Sequence, residues 1–238
     1  MFITTNIRKI FLAFDIEISR PRNAFKDMQS MFGATTRPTI LDVGAHVGQT
    51  SNRFRKLFPY SQIYAIEPFP ESFRLCKSFF KQDLKTKVVN MALSNIDGRQ
   101  LLHANSSPQT NSILKTDPKA AEIWGSNACS TRNIIEVQSE TLDTFLDREK
   151  IDKVDILKLD VQGAEHLVME GAKYACKQKA IRAIYAEIIT QPTYENQARL
   201  DEALKMYFEC GFELFNTYNH GYTNSGRLCQ IDALFIKS

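Results

Sequence analysis

The chain has 238 residues, 43% of them hydrophobic and 24% charged, with a formal net charge of +3. That balance fits a soluble globular protein with one large domain and a substantial core, and the small charge excess argues against nucleic acid as a default partner. Cys76, Cys129, Cys176, Cys210 and Cys229 are odd in number and form no C-x-x-C pair, which speaks against a disulfide framework or a zinc site and for the reducing cytoplasm.

At the start of the chain, Asp15 and Glu17 interrupt the apolar core that a signal peptide needs, and no run of about 18 apolar residues follows, so no transmembrane segment is expected. Residues 1–36 read as a helical extension of two short helices broken around Arg20-Pro21-Arg22. Ile7, Ile10, Phe11 and Phe14 share a face of the first, and Phe25, Met28 and Phe32 mark the second. Docking on the chain's own domain or on a second subunit is the expectation, a homodimer through these helices included; a surface-seeking helix is the alternative.

From residue 37 onward short apolar strands alternate with amphipathic helices, the signature of an α/β sheet with helices on both faces. The strands are Thr39 to Val43, Gln62 to Glu67, Lys87 to Ala92, Val154 to Asp160, Ile181 to Ile188, Phe212 to Thr217 and Leu228 to Ile236. Helices are expected at Gln49 to Phe58, Glu71 to Lys81, Ala164 to Ala175 and Glu195 to Cys210. Tyr218 to Arg227, rich in Asn, Gly and Tyr, reads as the connection of an antiparallel pair that closes one end of the sheet. An insertion over about 97–139 interrupts the alternation with a small β unit, Gln100 to Ala104 and Ile134 to Ser139, around a long polar stretch suited to a lid or binding loop.

The chemistry starts at Thr39 to Thr50, TILDVGAHVGQT: a strand, a glycine turn and a helix N-terminus. Bare backbone at Gly44 and Gly48 lets a ligand approach closely, and the free N–H groups of the helix start favour an electron-rich group. The G-x-x-x-G spacing lacks the G-x-G-x-x-G dinucleotide fingerprint, which weighs against a nicotinamide-dependent oxidoreductase, the main competing class. Glu67, ending the second strand before Pro68, can accept both hydroxyls of a ribose. Asp42 can hold the turn's N–H groups and face a cationic ligand, which suits S-adenosylmethionine better than a pyrophosphate. In DILKLDVQGAE, Asp160 and Gln162 project at the same sheet edge, and Glu165 stands where it complements a helix dipole. Lys158 inside that apolar strand has no counterpart in this pattern.

The run ILDVGAHVGQTS, IYAIEPFPESF, VNMALSNIDG, TNSIL, ETLDTFL, VDILKLDVQGAEHLVMEGA, YAEI and QIDALFI resembles the FkbM family of S-adenosylmethionine-dependent methyltransferases over Thr39 to Ile236. The resemblance implies a Rossmann-like class I methyltransferase fold in residues 37–238, with a seven-stranded sheet ordered 3-2-1-4-5-7-6, and methyl transfer to oxygen, often a hydroxyl of a sugar or another secondary metabolite. It assigns Asp42, Gly44, Ala45 and Gly48 to the methionine side of the cofactor, Glu67 with Pro68 to the ribose, Asn90, Met91 and Ala92 to the adenine, and Asp160 to the place beside the methyl donor. His46 stands where the family often has Asn.

An attacking hydroxyl must lose its proton, and the base candidates are Asp160, Glu187, His46 and His166. Asp160 ranks first and Glu187 second. The two acids together could hold Mg²⁺, a minor expectation. Ser112 and Trp124 in the insertion, with Gln162, are the acceptor-side candidates, whereas His103 and His220 read as structural. Nucleic-acid amino methylation lacks its Asn/Asp-Pro-Pro-Tyr run, since Gln162-Gly163 stands there. A non-catalytic adenosyl-binding module is the further alternative.

Overall fold

A computed structural model describes residues 22–237, apart from Thr35 and Ser126. The expected first helix of the extension, with Ile7, Ile10, Phe11 and Phe14, lies outside the described residues. The second is present as α1 (Ala24–Phe32), capped by the Asn23 side chain. Phe25 and Met28 are buried against the same chain rather than left open.

The main sheet contains β1 (Thr39–Val43), β2 (Gln62–Ile66), β3 (Thr86–Val89), β7 (Val154–Leu159), β8 (Ile181–Ile189), β9 (Glu213–Tyr222) and β10 (Leu228–Ile236), in the order β3-β2-β1-β7-β8-β10-β9. All neighbours pair in parallel except β10, which is antiparallel to both β8 and β9. Alternation along each strand sorts the core into two faces. Ile40, Ile63 and Ile156 pack with Phe25, Met28 of α1 and Phe54, Phe58 at α2 (Gln49–Leu57). Leu41, Leu157 and Ile184 pack on the opposite face with Phe145, Val168 and Tyr207. α3 (Pro70–Phe79) closes the first face through Cys76, beside Phe80 and Ala65.

The insertion forms a second sheet, β4 (Ala92–Ser94), β6 (Thr131–Thr141) and β5 (Gly98–Asn105), in which β5 is antiparallel and β4 parallel to β6. Its polar stretch carries a 3₁₀ turn, Pro108–Thr110, and a short helix α4 (Ala120–Trp124).

Four expectations are corrected. Lys87 to Ala92 is not one strand: the Asn90 amide donates to the carbonyls of Glu67 and Pro68 at 2.8 and 3.0 Å, the ladder ends at Val89, and the chain leaves for the small sheet as β4. The helix Ala164 to Ala175 is two, α6 (Glu165–Glu170) and α7 (Lys173–Lys177), broken where Gly171 runs so close to Ser94 that an added Cβ would lie 2.1 Å from its carbonyl oxygen. The last long helix starts only at α8 (Leu200–Glu209), because the Gln197 side chain holds the Thr193 and Tyr194 N–H groups in an irregular segment. The connection between the final strands is short, since β9 runs on to Tyr222 and only residues 223–227 turn. One helix has no counterpart among the expected elements, α5 (Leu142–Glu149), whose N-cap Thr141 accepts the Thr144 N–H. Among the described residues no helix is long and apolar enough to cross a membrane.

Candidate active site

Strand register assembles the site. Val43 pairs with Ile66 on one side and with Leu159 on the other, and Leu159 pairs with Ala186. The next residue of each strand, Gly44, Glu67, Asp160 and Glu187, therefore emerges in one row at the carboxyl edge of a parallel sheet, where open α/β sheets bind ligands. All four line a cavity of about 250 Å³.

Gly44 is required there by geometry. Its φ is +76°, and a Cβ would lie 1.8 Å from the Asp160 carbonyl oxygen. The N–H groups of Gly44 and Ala45 both reach the Ile66 carbonyl at 3.0 Å, which folds the turn over the end of β2. Glu67 finishes the job: its Oε2 accepts the His46 N–H and its Oε1 the Phe69 N–H, both at 2.8 Å. Each oxygen keeps a second lone pair for a ligand hydroxyl. Burial pushes the Glu67 carboxyl up to about 7, against the pull of these two N–H groups.

Lys158 is the residue that the sequence left without a role. Its ammonium group, almost fully buried, lies 3.1 Å from Asp42 Oδ1 and 3.3 Å from Asp160 Oδ2, and donates to the Gly44 carbonyl at 3.1 Å. Burial works against its charge, but the Asp160 and Asp42 carboxylates outweigh that and hold it above its ordinary value, so it is a fixed cation under the turn. A signal was present in the sequence: Asp42 and Lys158 are charges of opposite sign inside adjacent apolar strands, and the register pairs them.

Asp42 itself is fully buried, accepts the Ser51 hydroxyl at 2.5 Å, and does not line the cavity. It supports the turn through Lys158 and Ser51 rather than through the turn's N–H groups.

On the other flank the amide nitrogen of Gln162 donates to Asp160 Oδ1 at 2.9 Å and to Glu187 Oε2 at 2.7 Å. Burial, then the charge of Asp160, raises the Glu187 carboxyl well above the usual range, which favours its protonated form. An amide donor between the two acids does not suit a cation there, and among the described residues no group of three or more His, Cys, Asp or Glu is arranged to hold a metal ion. His46 lines the cavity at φ +48°; burial lowers its pKa, opposed by Asp160. His166 lies elsewhere, beside Tyr207 and Ala203. Glu165 is a buried acid in the first turn of α6, its Oε1 accepting the Val161 N–H at 2.9 Å.

The remaining candidates separate. Met91, Ala92 and Pro68 line the cavity with Ile66 and Leu93, an apolar wall for a flat ring, whereas Asn90 faces a different depression with Arg99 and Glu136. Ala45 lines it too; Gly48 starts α2 just behind. Ser112 is buried, its hydroxyl donating to the Gln162 carbonyl at 2.8 Å. Together with Pro108, Gln109 and Asn111 it roofs the cavity. Trp124 stands apart, its indole N–H on Thr193 Oγ1 at 2.8 Å. Tyr194, absent from the candidates, ties roof to floor, its hydroxyl within 2.8 Å of the Thr110 carbonyl and 3.1 Å of Gln162 Oε1.

The sequence pattern of the methyltransferase FkbM domain matches residues 42–214. A curated relative, the 2-O-methyltransferase NoeI of Sinorhizobium fredii (strain NBRC 101917 / NGR234), is 25% identical over 217 residues, which cover 86% of this chain and 85% of that one. Among solved structures, one assigned as a sarcosine dimethylglycine methyltransferase from Galdieria sulphuraria superposes with a TM-score of 0.52 at 11% identity, over 90% of this chain and 84% of that one. Aeropyrum pernix fibrillarin, in complex with natively bound S-adenosyl-L-methionine, gives 0.49 at 12% identity, over 89% and 74%. These likenesses concern the fold. The domain pattern spans most of the chain and runs through the glycine turn, Glu67, Asp160 and Glu187, so the chain belongs to the FkbM methyltransferase family.

Proposed function

We propose that this methyltransferase uses S-adenosylmethionine to methylate a hydroxyl group, that of a sugar or a similar hydroxyl-bearing metabolite. The observation that carries the reading is the row Gly44, Glu67, Asp160, Glu187, which puts a nucleoside-type site and a pair of acids in one cavity. The charges suit the cofactor. Two carboxylates, Asp42 and Asp160, surround the single ammonium of Lys158, leaving an excess negative charge for a sulfonium. Glu67 fits the ribose hydroxyls, and Met91, Ala92 and Leu93 fit the adenine.

When bound, S-adenosylmethionine supplies an electrophilic methyl group for in-line displacement, so the protein's task is chiefly to hold the acceptor oxygen in line with it. Asp160 takes the hydroxyl proton as the oxygen attacks. Glu187, favoured in its protonated form, acts through Gln162 to fix the Asp160 carboxylate. The name of the distant relative, a 2-O-methyltransferase, supports oxygen as the acceptor. Free thiols at all five cysteines support a reducing compartment.

The test is turnover of S-adenosylmethionine to S-adenosylhomocysteine across a panel of mono- and oligosaccharides. Saccharide-dependent turnover is expected, reduced about 10²- to 10⁴-fold in Asp160→Asn with affinity for S-adenosylhomocysteine, which lacks the sulfonium charge, kept within a few-fold. Turnover on no saccharide rejects the sugar acceptor, and unchanged turnover in the variant removes Asp160 as base. Thermal stabilisation by NAD but not by S-adenosylmethionine would overturn the cofactor.

A further inference from the structure

A second cavity, also of about 250 Å³, opens on the far side of the Lys158–Asp160 shelf. It shares Gln49, Thr50, Lys158, Asp160 and Glu187 with the cofactor cavity, so molecules in the two would meet at the acids. Its outer walls come from elements unrelated to the insertion: Phe25 of α1, Arg53 of α2, Tyr185 of β8, Asn219 of β9 and Asp232 of β10. We propose that this second cavity is the acceptor site and receives one neutral, hydroxyl-rich ring, such as a glycosyl residue, whose reacting hydroxyl reaches Asp160. The functional meaning of the site rests on the O-methyltransferase reading; its ability to bind such a ring does not.

The polar groups here are held in place rather than loose. Asp232 Oδ2 accepts the Tyr185 hydroxyl and the Asn219 amide, both at 2.6 Å, which leaves Oδ1 with its accepting capacity for a ligand hydroxyl. The Arg53 guanidinium lies 3.7 Å over the Phe25 ring, and Phe25 meets Tyr185 edge-on at 5.6 Å. Stacked in this way, and with Nη2 donating to Asn23 Oδ1 at 3.3 Å, Arg53 offers its remaining N–H groups to a ligand while its face is occupied. Acceptor, donor and aromatic wall together match a ring with hydroxyls on its rim and C–H groups on its faces. Three carboxyl groups against two cations give no positive excess to hold a phosphate or carboxylate acceptor, and the polar walls do not suit a greasy one.

Under the insertion most polar side chains are committed: Ser112 spends its hydroxyl on Gln162, Asn111 Oδ1 accepts the Asn105 N–H and only its Nδ2 is left for a ligand in the cofactor cavity, and Trp124 is tied to Thr193 outside it. The insertion thus roofs the cofactor and leaves the β8–β10–β9 end of the sheet for the second substrate.

The experiment is saturation-transfer NMR on the full chain loaded with S-adenosylhomocysteine, against free oligosaccharides of neutral hexoses, deoxyhexoses and N-acetylhexosamines, with sialylated and sulfated counterparts. A neutral saccharide is expected to bind, and Asp232→Asn and Arg53→Ala each weaken its Kd about tenfold, the loss of one charge-assisted hydrogen bond. Both variants keep the Kd for S-adenosylhomocysteine within twofold, measured by calorimetry. If no saccharide binds, or binding is unchanged in both variants, the site is refuted; preference for the anionic counterparts refutes the neutral class. Neutral binding at this cavity without methyl transfer overturns the O-methyltransferase reading and leaves the site standing.

Discussion

The two walls of the cofactor cavity are built by different means. The glycine turn is fixed by backbone: Gly44 at φ +76°, two N–H groups on one Ile66 carbonyl, and Glu67 bridging the His46 and Phe69 amides. The roof from Asn105 to Leu114 is folded onto the small sheet by backbone bonds such as the His103–Ser112 bridge, but it is tied to the cavity floor by side chains reaching across the sequence, Ser112 to Gln162 and Tyr194 to Thr110. A backbone-determined wall changes only if the strand ends move. A roof hung on neutral hydrogen bonds costs only about 1 kcal/mol per latch to open. Rigid donor grip and a releasable cover are what an enzyme that must exchange a spent cofactor needs.

The comparison breaks most sharply at Gly44. A methyl group there would occupy the position of the Asp160 carbonyl. Gly44→Ala is expected to cost about 3–5 kcal/mol of stability and to abolish cofactor binding, read by thermal unfolding and calorimetric titration. An unchanged melting temperature with intact binding would show that the turn is adaptable after all.

Glu67 gives an intermediate effect, visible as pH dependence. Burial raises its carboxyl to about 7, as it does that of Glu165, so the folded protein binds more protons than the unfolded chain between about 4.5 and 7. Stability without cofactor is therefore highest near the acid end of that window and falls as pH rises through it. Cofactor affinity should run the other way, since ribose hydroxyls donate best to the ionised carboxylate: the Kd for S-adenosylmethionine is expected to fall about three- to tenfold from pH 6 to 8. Glu67→Gln should flatten that profile and weaken binding throughout; a profile with the same slope in the variant assigns the dependence to another group.

The smallest effect belongs to the roof. Ser112→Ala removes one latch, with an expected loss of about 1 kcal/mol and a few-fold faster release of S-adenosylhomocysteine in stopped-flow measurements. A loss as large as that at Gly44 would mean that the roof is as rigid as the turn.

The same division explains what could be read from sequence. The strand order, the glycine turn and the acids at the strand ends are legible because each is a local pattern, apolar runs closed by Gly, Glu or Asp, and the parallel register then lines them up without further information. The breaks at Asn90 and Gly171 were not, because each depends on a partner distant in sequence: the carbonyls of Glu67 and Pro68 for one, the backbone of Ser94 for the other. Ser112 and Trp124 read as acceptor contacts from their place in a polar insertion, yet their side chains are committed to Gln162 and Thr193. Asn219 and Asp232 carry no local mark of a binding role. They meet only because β10 is antiparallel to both its neighbours and brings the end of the chain back beside β8.

The buried ammonium of Lys158 joins the Gly44 carbonyl to the carboxylate of Asp160. On the proposed reading, donor grip and proton acceptor form a single unit, in which neither end drifts without the other. On that reading the choice of acceptor rests with side chains on the last two strands and the first helices. A change of acceptor there can be tried without re-inventing the methyl-transfer geometry.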